Sequence, residues 1–133
     1  MSQSPDQILR FCEKIRSADA LLISSPEYNY SITGVLKKAQ DWASTNSLGN
    51  LMEGKITAIM GASRGNFGTT RVQLRLRQLL HAMNAKVLNR PEVLVRNDGE
   101  LIRSEKIIDE RTIKKIMELL SELEKALIKT RNT

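Results

Sequence analysis

Apolar positions in this chain alternate between helix-like spacing and short unbroken runs. Ile8, Phe11, Cys12 and Ile15 recur every three or four residues, the repeat of one helix face. Ahead of them, Ser4-Pro5-Asp6-Gln7 supplies an N-cap serine, a proline at the first helical position, an acid in the first turn and a capping-box glutamine. A helix is therefore predicted over 4–17. Ala20-Leu21-Leu22-Ile23 has no alternation, as in a parallel strand covered on both faces, and predicts a strand over 19–25. Val35, Leu36, Ala39, Trp42 and Ala43 predict a helix over 33–44 with those side chains on one side, and the Asn, Ser and Gly of 44–54 predict a loop. Lys55-Ile56-Thr57-Ala58-Ile59-Met60 is the next strand, stopping at Gly61. Val72, Leu76, Leu79, Leu80 and Met83 mark the inner side of a helix over 69–84. Lys86 to Val95 reads as one strand interrupted near Pro91, since proline cannot donate to a ladder. Asn97-Asp98-Gly99 reads as a turn closing a small hairpin toward Leu101 and Ile102. A last helix is predicted from Ser104 to Lys129, with Ile113, Ile116, Leu120, Leu123 and Leu127 as its stripe.

Strands alternating with helices predict a parallel α/β layer structure, with right-handed crossovers placing helices on both faces. At 133 residues the chain is expected to be one domain, over 1–133. Hydrophobic content of 41% with 27% charged residues is that of a water-facing globular protein. No apolar run approaches the roughly 18 residues of a membrane span, and the polar N-terminus has no apolar core of a signal peptide. The single cysteine, Cys12, lies on the apolar side of the first helix and is read as a packing residue. The cytoplasm is the expected location. A net charge of +6 and a pI near 9.7 raise the question of nucleic acid. The basic residues are spread along the chain, however, and only five aromatic residues are present, too few for a multi-base stacking platform. No nucleic-acid partner, metal site or membrane contact is expected.

Chemistry concentrates in two loops that each leave a strand and enter a helix. In Ser25-Pro26-Glu27-Tyr28-Asn29-Tyr30-Ser31-Ile32-Thr33-Gly34, Pro26 stiffens the strand exit. Tyr28 offers a stacking face, and Asn29 offers donors and acceptors for a ring edge. Ligands of parallel sheets bind where such loops leave the carboxyl ends of strands. The alternative is a capping turn that happens to hold two tyrosines. Gly61-Ala62-Ser63-Arg64-Gly65-Asn66-Phe67-Gly68 has three glycines for close backbone approach, then a helix start whose free N–H groups suit an anion or an electron-rich ring. It lacks the Gly-Lys-Ser/Thr of a Walker loop and the spacing of a dinucleotide fingerprint, and a flexible turn is the alternative. His81 falls mid-helix with no base or nucleophile placed beside it, so it is read as a surface or packing residue.

The first loop, with Val35-Leu36-Lys37 and Asp41-Trp42 after it, resembles the NADPH-dependent FMN reductase family. The second loop continues the resemblance through Thr69-Thr70-Arg71 and Leu74-Arg75, and together they extend it over almost the whole chain. That family includes flavin, quinone, azo-dye and chromate reductases. The resemblance implies an N-terminally truncated, flavodoxin-like three-layer α/β sandwich with a parallel sheet. It implies FMN as cofactor, bordered by Pro26, Glu27, Tyr28 and Asn29 on one side and by Gly61, Ala62, Ser63, Gly65 and Gly68 on the other. NADPH would deliver a hydride to the flavin, and a small-molecule electron acceptor such as a flavin or quinone would take the electrons onward. No catalytic side chain is required of the protein. Arg64 is a candidate partner for a nicotinamide dinucleotide phosphate. Tyr30 departs from the small residue usual after the asparagine.

Members of the family usually open with a strand, a Gly-Ser-x-Arg phosphate loop, a helix and a second strand, and this sequence shows no counterpart. Three lost charge-assisted bonds at about 1.5–3 kcal/mol each would weaken FMN by several powers of ten. The strand over 19–25 would also become a bare sheet edge, which natural proteins cover. A homodimer, a homotetramer or an additional chain completing the sheet is therefore expected. A truncated scaffold without enzymatic activity is the alternative function.

Overall fold

The structure, a computed structural model, describes residues 5–96, Gly99 and residues 102–133. Helix α1 (Asp6–Ser17) starts one residue later than the sequence predicts: Pro5 stands at the cap position and its carbonyl accepts from the Ile8 N–H at 2.9 Å. Ser4 lies outside the described residues, as do Asn97, Asp98 and Leu101 of the predicted turn and hairpin. Strand β1 (Ala20–Ser24) leads to α2 (Gly34–Ser44), then β2 (Ile56–Ala62), α3 (Thr70–Ala82) and the split pair β3 (Lys86–Val87) and β4 (Val93–Val95). A hairpin of β5 (Ile102–Arg103) and β6 (Lys106–Ile107) precedes α4 (Glu110–Arg131).

The main sheet is parallel throughout. β2 is its centre, pairing with β1 in the register Leu22↔Ala58 and with β3 and β4 on its other side, Thr57↔Val87 and Gly61↔Leu94. The break between β3 and β4 surrounds Pro91, as the missing N–H requires. Alternation along β2 divides the core into two. Ile59 joins Ile15, Ala43, Leu76 and Leu80, so α1, α2 and α3 cover one face. Ala58 joins Val93 and Leu119, so α4 covers the other. This is the expected three-layer, flavodoxin-like arrangement.

Two predicted faces differ. Val35 is 82% exposed rather than inward, because the buried side of α2 is centred on Gln40 and Ala43, roughly a third of a turn away. The last helix does not begin at Ser104. Ser104 and Glu105 take positive φ angles of 49° and 62° and turn the β5–β6 hairpin, while Asp109 caps α4 by accepting from the Thr112 N–H at 2.9 Å. Thr112 and Leu119 then centre the buried face, leaving Ile113 and Leu120 exposed on the helix flank.

Candidate functional site

The two loops leave the carboxyl ends of adjacent strands, since Ser24 at the end of β1 pairs with Met60 near the end of β2. Ser25 is buried, donates from its N–H to the Met60 carbonyl at 3.1 Å and so carries the register one residue past β1. Beyond it, Tyr28 and Ser31 exchange two backbone hydrogen bonds of 2.9 Å each. Asn29 and Tyr30 sit at the tip with φ of 50° and 67°, the double left-handed geometry of a type I′ turn. Asparagine adopts that geometry readily; tyrosine does so at a cost. At Tyr30 that cost is offset by Arg71, whose guanidinium lies 4.0 Å from the ring centroid and 5.0 Å from that of Phe67. Thr33 ends the loop by capping α2, its Oγ1 accepting from the Leu36 N–H at 3.1 Å.

Glu27 binds the two loops to each other. Its side chain is 12% exposed, and Oε2 stands 4.0 Å from Arg71 Nη1. Oε1 accepts from the Val72 N–H at 2.8 Å, so the carboxylate sits on the first turn of α3, where the helix dipole favours negative charge. The second loop is anchored on its other side by the Ser63 N–H, which donates to the Val95 carbonyl at 2.9 Å. Ser63 Oγ accepts from the Gly65 N–H at 3.1 Å, forming a small side-chain turn. Below the loop, Gln73 Nε2 donates to Thr69 Oγ1 at 3.0 Å and to the Val93 carbonyl at 2.9 Å.

The nine residues expected around a flavin therefore separate by position. Pro26, Tyr28, Asn29, Ala62, Ser63 and Gly65 lie exposed or half-buried on the loops. Glu27, Gly61 and Gly68 lie under them. A Cβ at Gly61 would run into the Ser25 carbonyl and the Thr69 side chain, and one at Gly68, which has φ +60°, would stand 3.1 Å from the Leu94 carbonyl oxygen. Their absence of side chains lets the loops approach the strands rather than a ligand. Three residues that hold the site together were not foreseen as parts of it: Arg71, Thr69 and Gln73. Arg71 was visible as a cation two residues into a helix that follows an acid-bearing loop; Thr69 and Gln73 pair one turn apart, while the Gln73 bond to the Val93 carbonyl is set only by the tertiary fold.

The surface fits a planar, electron-rich ring. Tyr28 is 61% and Phe67 65% exposed, so both present aromatic faces. The backbone N–H groups of Arg64, Asn66, Phe67 and Gly68 have no hydrogen-bond acceptor among the described residues, which leaves donors for a flavin edge. Among the described residues no three His, Cys, Asp or Glu side chains gather to hold a metal ion. Cys12 is buried beside the Trp42 carbonyl, and burial, with Glu13 adding to it, raises its thiol above the usual value, consistent with packing. His81 is exposed on α3. Among the described residues no helix is long and apolar enough to cross a membrane.

The chain is 43% identical over 121 residues to an NAD(P)H-dependent FMN reductase of Pseudomonas aeruginosa, covering 90% of this chain and 65% of that protein. It is 41% identical over 90 residues to a quinone reductase of Escherichia coli, covering 68% of this chain and 47% of that one. Among solved structures, FerB, a flavoenzyme NAD(P)H:(acceptor) oxidoreductase from Paracoccus denitrificans, superposes with a TM-score of 0.85 at 30% identity, covering 95% of this chain and 70% of FerB. The chain thus spans between about half and two thirds of the length of the two curated relatives. Residues 1–100 match the family model described as NADPH-dependent FMN reductase. With both loops at the carboxyl ends of a parallel sheet and three quarters of the chain inside that match, the protein belongs to the NADPH-dependent FMN reductase family.

Proposed function

We propose that this protein binds FMN across its two loops and acts as an NAD(P)H oxidoreductase with a quinone or flavin as acceptor. The observation that carries the reading is the joining of the Tyr28–Asn29 tip to the Ser63–Gly68 loop through Glu27 and Arg71, in a chain of this family. Bound FMN would supply the redox chemistry, accepting a hydride from NAD(P)H and passing electrons onward. The chain's own part is to bind and orient. Tyr28 stacks, Asn29 and the loop N–H groups bond the ring edge, and Ser63 and Ala62 set the depth of the shelf. No general acid or base is needed from the protein. The test is NADPH consumption with a benzoquinone acceptor in the presence of FMN. Activity should appear with FMN and fall about tenfold in Tyr28→Ala, the loss of an aromatic contact of about 0.5–1.5 kcal/mol plus its buried area. FMN-independent or unchanged activity would contradict the assignment.

Folding as one domain and residence in the cytoplasm are supported by the continuous sheet and by the buried, unpaired Cys12. The partner proposal rests on β1. Among the described residues β1 pairs only with β2, and Leu22, 41% exposed, points to the same face as Ala58 and α4. The exposed flank of α4, Ile113, Met117 and Leu120, adds a second apolar wall. A second copy joined edge to edge at β1 would hold the two α4 helices some three to four strand spacings apart, roughly 14–19 Å at about 4.8 Å per strand. Helices pack at about 8–10 Å, so that slot would stay open. One added strand with one amphipathic helix would fill it. We therefore favour an additional segment completing the sheet at β1. Homodimer or homotetramer contacts would lie elsewhere, and Val35 on the helix after the tyrosine loop is an exposed apolar candidate.

A further inference from the structure

Arg71 is held in place by two rings, yet its hydrogen-bonding groups are open. Its guanidinium lies over Tyr30 and Phe67, 4.0 and 5.0 Å from the ring centroids, while the side chain remains 42% exposed. A guanidinium carries five N–H donors in a rigid fork, and among the described residues those of Arg71 have no hydrogen-bond acceptor. Its ion-pair partner Glu27 stands at 4.0 Å, beyond hydrogen-bond length.

The charges around it are unequal in what they offer a ligand. The two loops, 25–34 and 61–69, and the first turn of α3, 70–73, hold three charged residues: Glu27, Arg64 and Arg71. Glu27 is the inward one. Its side chain is 12% exposed, and its Oε1 already accepts from the Val72 N–H at 2.8 Å. Arg64 and Arg71 are both exposed. The surface presented by the loops is therefore positive, and it is aromatic as well, since Tyr30 is 66% exposed beside Phe67. An aromatic ring can lie against these side chains whatever its charge. A carboxylate or an enolate on that ring adds what a neutral ring lacks, an acceptor for the open fork of Arg71.

Resting on the reductase reading, we infer that Arg71 selects the electron acceptor: a planar aromatic oxidant that carries an anionic oxygen, such as a carboxylated or ionised hydroxyquinone, in preference to a neutral quinone of the same size. In turnover the two quinone carbonyls take two electrons and two protons. NAD(P)H supplies both electrons and one proton as a hydride, water supplies the other proton, and the acceptor leaves as a hydroquinone. The anionic group held by Arg71 is unchanged by the reaction.

Ligand-detected NMR titration of the intact chain with 2-naphthoate, without added flavin, tests the selection itself, and 2-naphthamide is the neutral match. The carboxylate should bind about fivefold more tightly than the amide. Arg71→Gln should remove that preference, and Arg71→Lys, which keeps the charge without the fork, should restore part of it. Because Arg71 also holds Tyr30, the readout is the ratio of the two affinities; a loosened loop would weaken both ligands alike. Arg75→Gln, one turn further along α3, should keep the ratio of the parent. Equal binding of the two ligands by the parent, or a ratio unchanged in Arg71→Gln, overturns the assignment. With FMN and NADPH present, 2-hydroxy-1,4-naphthoquinone, anionic at neutral pH, should exceed its neutral 2-methoxy analogue in kcat/KM by a similar factor, and that factor should vanish in Arg71→Gln. Absence of turnover with both quinones would count against the reductase reading, while the naphthoate ratio would still decide the role of Arg71.

Discussion

Glu27 and Val72 are 45 residues apart, yet the Glu27 carboxylate accepts a 2.8 Å hydrogen bond from the Val72 N–H. One side chain near the start of the tyrosine loop thus caps the helix behind the glycine loop, so the two flavin-side loops share a fixed relative position. Glu27→Ala should cost about 0.5–2 kcal/mol, the range for a lost helix cap. Glu27→Gln keeps an acceptor and should lose less. Denaturant unfolding of the two variants checks the order; equal stability of Glu27→Ala and the parent would show that the contact is not formed.

Gly61, near the end of β2, and Gly65, in the loop that follows it, should respond differently to alanine. A Cβ at Gly61 meets the backbone of Ser25 and the Thr69 side chain, and backbone cannot yield cheaply. Gly61→Ala is expected to destabilise by about 1–3 kcal/mol, as overpacking does, and to weaken FMN by displacing the first loop. At Gly65 the nearest atom to a Cβ is Ser63 Oγ at 3.5 Å, ordinary contact, so Gly65→Ala should leave the thermal midpoint almost unchanged. Melting curves of the pair decide it.

Gln40 is 5% exposed, and neither its amide nitrogen nor its amide oxygen has a partner among the described residues. An unpaired buried amide costs about 1–3 kcal/mol. Gln40→Leu, similar in size and apolar, is therefore expected to raise stability by about 1 kcal/mol. A drop in the denaturation midpoint would mean that the amide is satisfied in solution.

Much of this was legible in the sequence and some was not, for reasons that can be stated residue by residue. Unbroken apolar runs such as Ala20-Leu21-Leu22-Ile23 identify parallel strands without any tertiary information, and Pro91 announced the break between β3 and β4. Val35 was misplaced because four of the five apolar residues on α2 tolerate a rotation of the helix, and the buried Gln40 gives no hydrophobic signal. The hairpin before α4 was missed because Ser104-Glu105 lacks the Asn-Gly or Asp-Gly signature of its turn. The candidate ligand residues were readable from loop chemistry. The bracing by Arg71 and Gln73 depends on Glu27, Tyr30 and Val93, each 20 or more residues away, which no local spacing encodes.

Asp109 gives a pH dependence with a defined sign. Hydrogen bonds from the Thr112 hydroxyl, then from its backbone N–H, hold the Asp109 carboxyl below its usual value near 3.8, and Arg111 adds to this. A depressed carboxyl contributes stability that is present above its unfolded pKa and is lost as pH falls through the folded one. Asp109→Ala should therefore melt below the parent at pH 7, and the gap should close as pH drops below about 3.8. A gap that stays constant from pH 7 to pH 2 would remove Asp109 from the account.

The central claim is that FMN sits between the tyrosine loop and the glycine loop. Titration of the purified protein with FMN, following flavin fluorescence and the visible absorption bands, tests it most directly. The expected result is saturable binding near one FMN per chain, weakened about tenfold in Tyr28→Ala, with bleaching of the bound flavin when NADPH is added. No binding at tens of micromolar FMN, or binding indifferent to Tyr28, would contradict it.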